Sequence, residues 1–165
     1  PAADFIFDGS MEHDFEAGYP GFAEFARGVA AAGNRTPDGR LRPPLAVKTP
    51  EVAPDSALAK QRIARQLDLG VSTIVFVDVQ SAAELRTGLA AMRYPARGGT
   101  RPNTVGTAPA VWGLGEQAYR ERADLWPLNP RGELTAWAIV ESRAGLARVR
   151  EIAAVKGVAV LLPGA

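Results

Sequence analysis

The sequence predicts an α/β fold built on a parallel sheet. Two observations carry that expectation. Short uninterrupted apolar runs alternate with segments of helical periodicity along the whole chain. The clearest of these runs, Ala136-Trp137-Ala138-Ile139-Val140, ends abruptly in an acid, Glu141. A continuous apolar run between helical patterns reads as a strand buried on both faces, as in parallel sheets. Strand and helix in strict alternation read as successive βα units.

Five runs read as strands: Phe5 to Phe7, Leu45 to Val47, Val71 to Val79, Thr135 to Val140 and Val158 to Leu162. Helical segments fill the intervals. Phe22, Phe25, Ala26 and Val29 recur at i, i+3, i+4 and i+7. Ala59, Ile63 and Leu67 share a face, and Gly70 follows as a stop. Ser81-Ala82-Ala83-Glu84 is a capping box that leads into Leu85, Leu89 and Met92, with Pro95 and Gly98-Gly99 ending the helix. Leu146, Val149 and Ile152 define a last helix that Lys156-Gly157 closes. Two stretches read as loops. Gly33 to Pro44 is rich in Arg, Pro and Gly, and Arg97 to Pro130 carries Trp112, Tyr119 and Trp126 around a short helix at Glu116 to Asp124. A loop of the second length is usually functional or an interface. Its aromatics either cover a pocket or anchor the loop to the body.

Composition narrows the function. The 165 residues suffice for one domain with a core, and 47% of them are apolar. No apolar stretch approaches the length of a membrane span. Nineteen Lys and Arg against 18 acids leave a net charge of +1, which gives no electrostatic footprint for nucleic acid or an anionic membrane. No cysteine is present, so disulfides and thiolate metal sites are excluded. No secretory pattern is visible, and a cytoplasmic location is the expectation. The chain opens on Pro1, almost directly before an apolar run, and stops at Pro163-Gly164-Ala165, directly after another, as expected of a piece of a longer chain.

Few groups offer chemistry. Glu141 ends a strand where α/β proteins place their sites. It reads as a metal ligand or acid/base group, or as an acid in the first turn of the next helix. His13, the only histidine, follows the first strand and is a candidate general base; a capped or surface histidine is the plainer reading. Lys48 follows the second strand, where a cation stabilises a developing oxyanion or is merely solvated. Asp68 sits near the C-terminal end of a helix, the wrong end for a dipole-favoured acid, and invites a search for a partner. The small residues Gly164 and Ala165 let backbone N–H groups approach an anion, or form a plain turn. No GxGxxG, phosphate loop or GxSxG elbow occurs, and there is no histidine pair for zinc. Any metal is therefore held by carboxylates and water, which favours magnesium or manganese.

Met11-Glu12-His13, Gln66-Leu67-Asp68-Leu69-Gly70, Ala90-Ala91-Met92-Arg93-Tyr94-Pro95, Val140-Glu141-Ser142-Arg143 and Leu162-Pro163-Gly164-Ala165 occur in an order that resembles one family. It is the HpcH/HpaI aldolase/citrate lyase group of class II pyruvate aldolases, which includes 4-hydroxy-2-oxoheptanedioate aldolase. The resemblance implies a TIM (β/α)8 barrel of about 250 residues. Residues 1–165 would be a single partial barrel domain holding about strands two to six. It also implies roles. His13 matches the general base, Asp68 the acid that strengthens that base, and Glu141 a metal ligand. Ala165 matches a small residue whose amide holds the substrate carboxylate. The implied reaction is divalent-metal-dependent cleavage of a hydroxylated 2-oxo acid to pyruvate, or a related oxo acid, plus an aldehyde. A homo-oligomer, trimer or hexamer, is implied as well.

The sequence departs from the family pattern in several places. Lys48 stands where the family commonly has Arg, and Ile139 where it often has Gln. The second metal-binding acid would follow Ala165. Gly33 to Pro44 reads as an insertion. Two alternatives are kept open: a related barrel lyase acting on a CoA ester or aromatic substrate, motivated by Trp112 and Trp126, and a non-catalytic barrel subunit.

Overall fold

The computed structural model describes residues 3–33, 35–37 and 42–164. Five strands form one sheet in the order of the chain: β1 (Ile6–Asp8), β2 (Leu45–Thr49), β3 (Thr73–Phe76), β4 (Thr135–Val140) and β5 (Val160–Pro163). All four pairings are parallel, with Ile6 opposite Leu45, Val47 opposite Ile74, Val75 opposite Trp137 and Ile139 opposite Leu162. Parallel neighbours need a crossover, and helices supply it each time. Helix α1 (Phe15–Ala31) joins β1 to β2, and α2 (Ser56–Asp68) joins β2 to β3. Between β3 and β4 run α3 (Ala82–Met92), α4 (Ala108–Trp112) and α5 (Glu116–Arg122); α6 (Arg143–Ala147) and α7 (Val149–Ala153) precede β5.

The first helix after each of β1 to β4 starts on a side chain that satisfies its first free amides. Asp14 accepts from the N–H of Ala17, Asp55 from Ala57 and Leu58, Ser81 from Glu84, and Ser142 from Gly145. The box at Ser81 is real, but Glu84 Oε2 returns to the N–H of Gln80, one residue ahead of the cap, at 3.1 Å.

Side chains alternate across the sheet. Ile74 and Phe76 of β3, with Ala136, Ala138 and Val140 of β4, pack in one core with Ile63 and Leu67 of α2 and Leu85 and Leu89 of α3. Gly88 lets α3 lie close to β3, because a Cβ there would stand 2.9 Å from Cζ of Phe76. The other face carries a smaller cluster of Val75, Val77 and Ile139, with Trp137 and Leu162 against it. On this face Phe5, ahead of β1, meets Trp137 of β4 edge to face, with ring centroids 5.1 Å apart. Strands lie about 4.8 Å apart, so β1 and β4 would be about 14 Å apart in a flat sheet. The sheet therefore curls around this second cluster.

Three sequence expectations change in detail. The last helix is two, broken at Arg148, whose φ of −114° is outside the helical range. Phe25 shares the spacing of Phe22 and Ala26 but is exposed. The run Val71 to Val79 is a strand only over Thr73–Phe76.

Candidate functional site

A cleft of about 560 Å3 opens at the C-terminal ends of β1 to β4. Glu12 and His13 enter it from the turn after β1, Glu51 from the loop after β2, Asp78 from the end of β3 and Glu141 from the end of β4. Arg62 reaches it from α2.

Glu141 is exposed yet fixed. Its Oε1 accepts the N–H of Asp78 at 2.8 Å, and among the described residues Oε2 makes no hydrogen bond. Asp78 holds that amide in place with a left-handed backbone, φ 40°, the only positive φ of a non-glycine residue among the described residues. Such a conformation costs about 1–2 kcal/mol and is kept where surroundings enforce it. Here Asp78 Oδ2 accepts from Gln80 Nε2 at 2.7 Å, while Oδ1 is buried without a partner. Below the cleft, burial pushes the Glu84 carboxyl up. The N–H groups of Gln80 and Ala53 pull it down, and the nearby acids Glu51 and Asp78 push it further up.

The sequence-predicted residues divide. His13 and Glu141 share the cleft. Lys48 lies within β2 rather than after it, and its Nζ is held by Glu12 Oε2 at 2.7 Å with both side chains mostly buried. Gly164 abuts Glu141, but for a different reason from the one expected. Its N–H donates to the carbonyl of Val140 at 2.9 Å, so that amide is not free for an anion. What the glycine supplies is room, since a Cβ at 164 would lie 2.6 Å from Glu141 Oε2. Ala165 lies outside the described residues.

The structure does not bring Asp68 to His13. Asp68 ends α2, at the opposite end of the sheet, where its Oδ1 meets Nη2 of the fully buried Arg101 at 3.2 Å and its carbonyl accepts the N–H of Thr107 at 2.8 Å. The acid at the unfavourable helix end is explained by that guanidinium. Arg101 also donates to the Tyr119 hydroxyl at 3.0 Å and stacks over Tyr94, whose hydroxyl burial pushes up to about 12.

The aromatics of the long segment belong to this same end. Tyr119 is buried against Arg101, and Trp112 is buried with its Nε1 on the carbonyl of Gly70 at 2.8 Å. These two are anchors. Trp112 and the half-exposed Trp126 line a separate cavity of about 430 Å3 beside Leu45, Thr73 and Thr135, the amino-terminal ends of the strands. None of them reaches the cleft, which removes the motive for an aromatic-lined substrate site there.

Asp78 and Arg62 were missed in the sequence, and Glu12 entered only within the Met11-Glu12-His13 motif. Asp78 carries the signal that marked Glu141, an apolar run ending in an acid, in Val75-Phe76-Val77-Asp78. Among the described residues no three His, Asp or Glu side chains gather as a metal site. The free Oε2 of Glu141 suits one ligand of a hard cation, whose remaining positions would be oxygens from water, substrate or other protein groups.

A curled parallel sheet with a histidine, a fixed carboxylate and cations at the carboxyl ends of its strands has its polar groups where α/β folds commonly carry their sites. A family model, HpcH/HpaI aldolase/citrate lyase, matches residues 46–165. The chain belongs to that family. A crystal structure of an HpcH/HpaI aldolase/citrate lyase family protein from Burkholderia cenocepacia J2315 is 20% identical with a TM-score of 0.61, covering 98% of this chain and 65% of that one. An HpcH/HpaI aldolase from Desulfitobacterium hafniense DCB-2 is 17% identical with a TM-score of 0.58, covering 98% and 62%. The chain thus spans a little under two thirds of each, and at these identities the likeness is one of fold. A search of curated proteins finds no match. No helix among the described residues is long and apolar enough to cross a membrane.

Proposed function

We propose that this chain carries the active face of a divalent-metal-dependent carbon–carbon lyase, a class II aldolase. Its substrate is a hydroxylated 2-oxo acid, cleaved to pyruvate or a related oxo acid plus an aldehyde. The reading includes a (β/α)8 barrel of which these five strands form part, supported by the curl that joins Phe5 to Trp137. The observation that carries the function is the shared cleft of His13 and Glu141.

Glu141 would hold the ion, with Mg2+ or Mn2+ suited to its oxygen. When bound, such an ion supplies Lewis acidity to the carboxylate and keto oxygens of the oxo acid. The protein's own groups do the rest. Asp78 and Gly164 fix the Glu141 carboxylate, so that no reorganisation is needed during turnover. His13, exposed on a turn, takes the proton from the substrate hydroxyl as the carbon–carbon bond breaks and returns it to the oxo-acid carbon directly or through water. Lys48, paired with Glu12, holds that acid in place on the turn beside His13.

The test is pyruvate release by the full-length protein with Mg2+ or Mn2+ and a 4-hydroxy-2-oxo acid. Glu141→Gln should abolish metal-dependent turnover, and a chelator should inactivate the wild type. Full activity in EDTA, or normal turnover by Glu141→Gln, would refute the reading.

A further inference from the structure

Asp78 is the strained residue of the cleft. Its left-handed backbone, φ 40°, turns its N–H onto Oε1 of Glu141 at 2.8 Å. Glycine would take that conformation freely, but an L-residue holds it only at a cost, so the surroundings must enforce it.

The enforcing group is Gln80, which is itself held at three points. Its Nε2 donates to Asp78 Oδ2 at 2.7 Å, its N–H donates to Glu84 Oε2 of α3 at 3.1 Å, and its carbonyl accepts from Arg148 Nη1 at 3.2 Å. Between the two residues, the N–H of Val79 donates to the carbonyl of Ile139 on β4 at 2.9 Å. A chain of bonds therefore runs from α3 and the break at Arg148, through Gln80 and Asp78, to the carboxylate at the end of β4. Gln80 does not line the cleft, so its influence there passes through Asp78. The two halves of Asp78 are directed differently. Its amide meets Glu141, while its carboxylate is turned to Gln80 through Oδ2, with Oδ1 buried and without a partner.

We propose that Gln80 is a positioning residue: it locks Asp78 in the left-handed turn, and the Asp78 amide, not the Asp78 carboxylate, orients Glu141 toward a divalent cation. This rests on the metal-dependent reading above. Removing a group that orients a metal-binding side chain changes metal affinity by about 10- to 100-fold.

The experiment titrates the full-length protein with Mn2+ alone, following the electron paramagnetic resonance of the free ion, and needs no substrate. Gln80→Ala should raise the Mn2+ Kd by about 10- to 100-fold, and Gln80→Met, which keeps the length without the donor, should do the same. Asp78→Gly added to Gln80→Ala should recover most of that loss, because glycine takes φ 40° without support. Asp78→Ala added in its place should recover nothing. Unchanged Mn2+ affinity in Gln80→Ala and Gln80→Met, with only a lower Tm of the metal-free protein, would make Gln80 a scaffold residue and overturn the proposal. No recovery on adding Asp78→Gly, or a deeper loss, would mean that the Asp78 carboxylate itself is needed, and overturns it too. A wild type that binds Mn2+ and shows the expected pattern without releasing pyruvate refutes the lyase reading and leaves the positioning role standing; a wild type that binds no Mn2+ refutes both.

Discussion

Replacing Gly164 by alanine tests the site at one atom. The backbone there is not in the left-handed region, so alanine brings no conformational penalty, and the whole effect comes from contact. The new methyl would collide with Cβ of Glu141 and lie 2.6 Å from its Oε2 and 3.0 Å from Cγ2 of Ile139. The chain cannot slide away cheaply, because the N–H of residue 164 is tied to Val140 at 2.9 Å. Turning the carboxylate away relieves only the Oε2 contact, so the strand ends at 141 and 164 must also part, and the 2.8 Å bond from the N–H of Asp78 to Glu141 is lost or stretched. Overpacking of this kind costs about 1–3 kcal/mol of stability. Displacing a catalytic group by about 1 Å costs about 100-fold in rate. Gly164→Ala should accordingly retain its fold, with a lower Tm, lose about 100-fold in kcat/KM for metal-activated pyruvate release, and need more metal for half activation. Wild-type kcat/KM in this variant would mean that Glu141 does not act from the position beside Gly164.

Further predictions address the base and the supporting scaffold. His13→Ala removes an exposed side chain and should cut kcat by about 100- to 10,000-fold with an unchanged thermal melt; undiminished kcat would remove His13 from the mechanism. Arg93 grips the buried Asp124 with two bonds, Nε to Oδ1 at 2.6 Å and Nη2 to Oδ2 at 3.2 Å, and Asn129 adds a third at 3.1 Å. Arg93→Ala leaves that carboxylate stranded and should cost about 3–5 kcal/mol in urea denaturation. Burial alone would push the Asp124 carboxyl up, but Arg93, the N–H of Leu125 and Asn129 bring it below its ordinary value of 3.8. A depressed acid stabilises the fold fully above its unfolded value and loses that contribution as pH falls through the folded one. The wild type should therefore lose stability below about pH 4, and Arg93→Ala should show a shallower loss there; parallel acid limbs in the two proteins would contradict the pairing.

Much of the fold was legible because it rests on local signals. Each strand came from an apolar run and each long helix from a 3.6-residue period, and the parallel order followed from their alternation. The breaks were harder. Nothing in the spacing of Leu146, Val149 and Ile152 announces the interruption at Arg148. The site was legible where chain position determines geometry, at His13 and Glu141, each just past a strand end. It was illegible where the answer lies in a partner distant in sequence. Asp68 looked available because Arg101 is 33 residues away, and Lys48 looked free because Glu12 is 36 residues away. Gly164 was rightly singled out for smallness, but its amide was already spoken for by a neighbouring strand. Arg62 sits in mid-helix, where only the packing of α2 against the cleft reveals it.

The sheet runs β1 to β5 without a single strand out of turn. Each strand from β2 to β5 therefore finds a neighbour already made when it leaves the ribosome. Within these five strands, synthesis and assembly can proceed in step, each βα unit laid on the last.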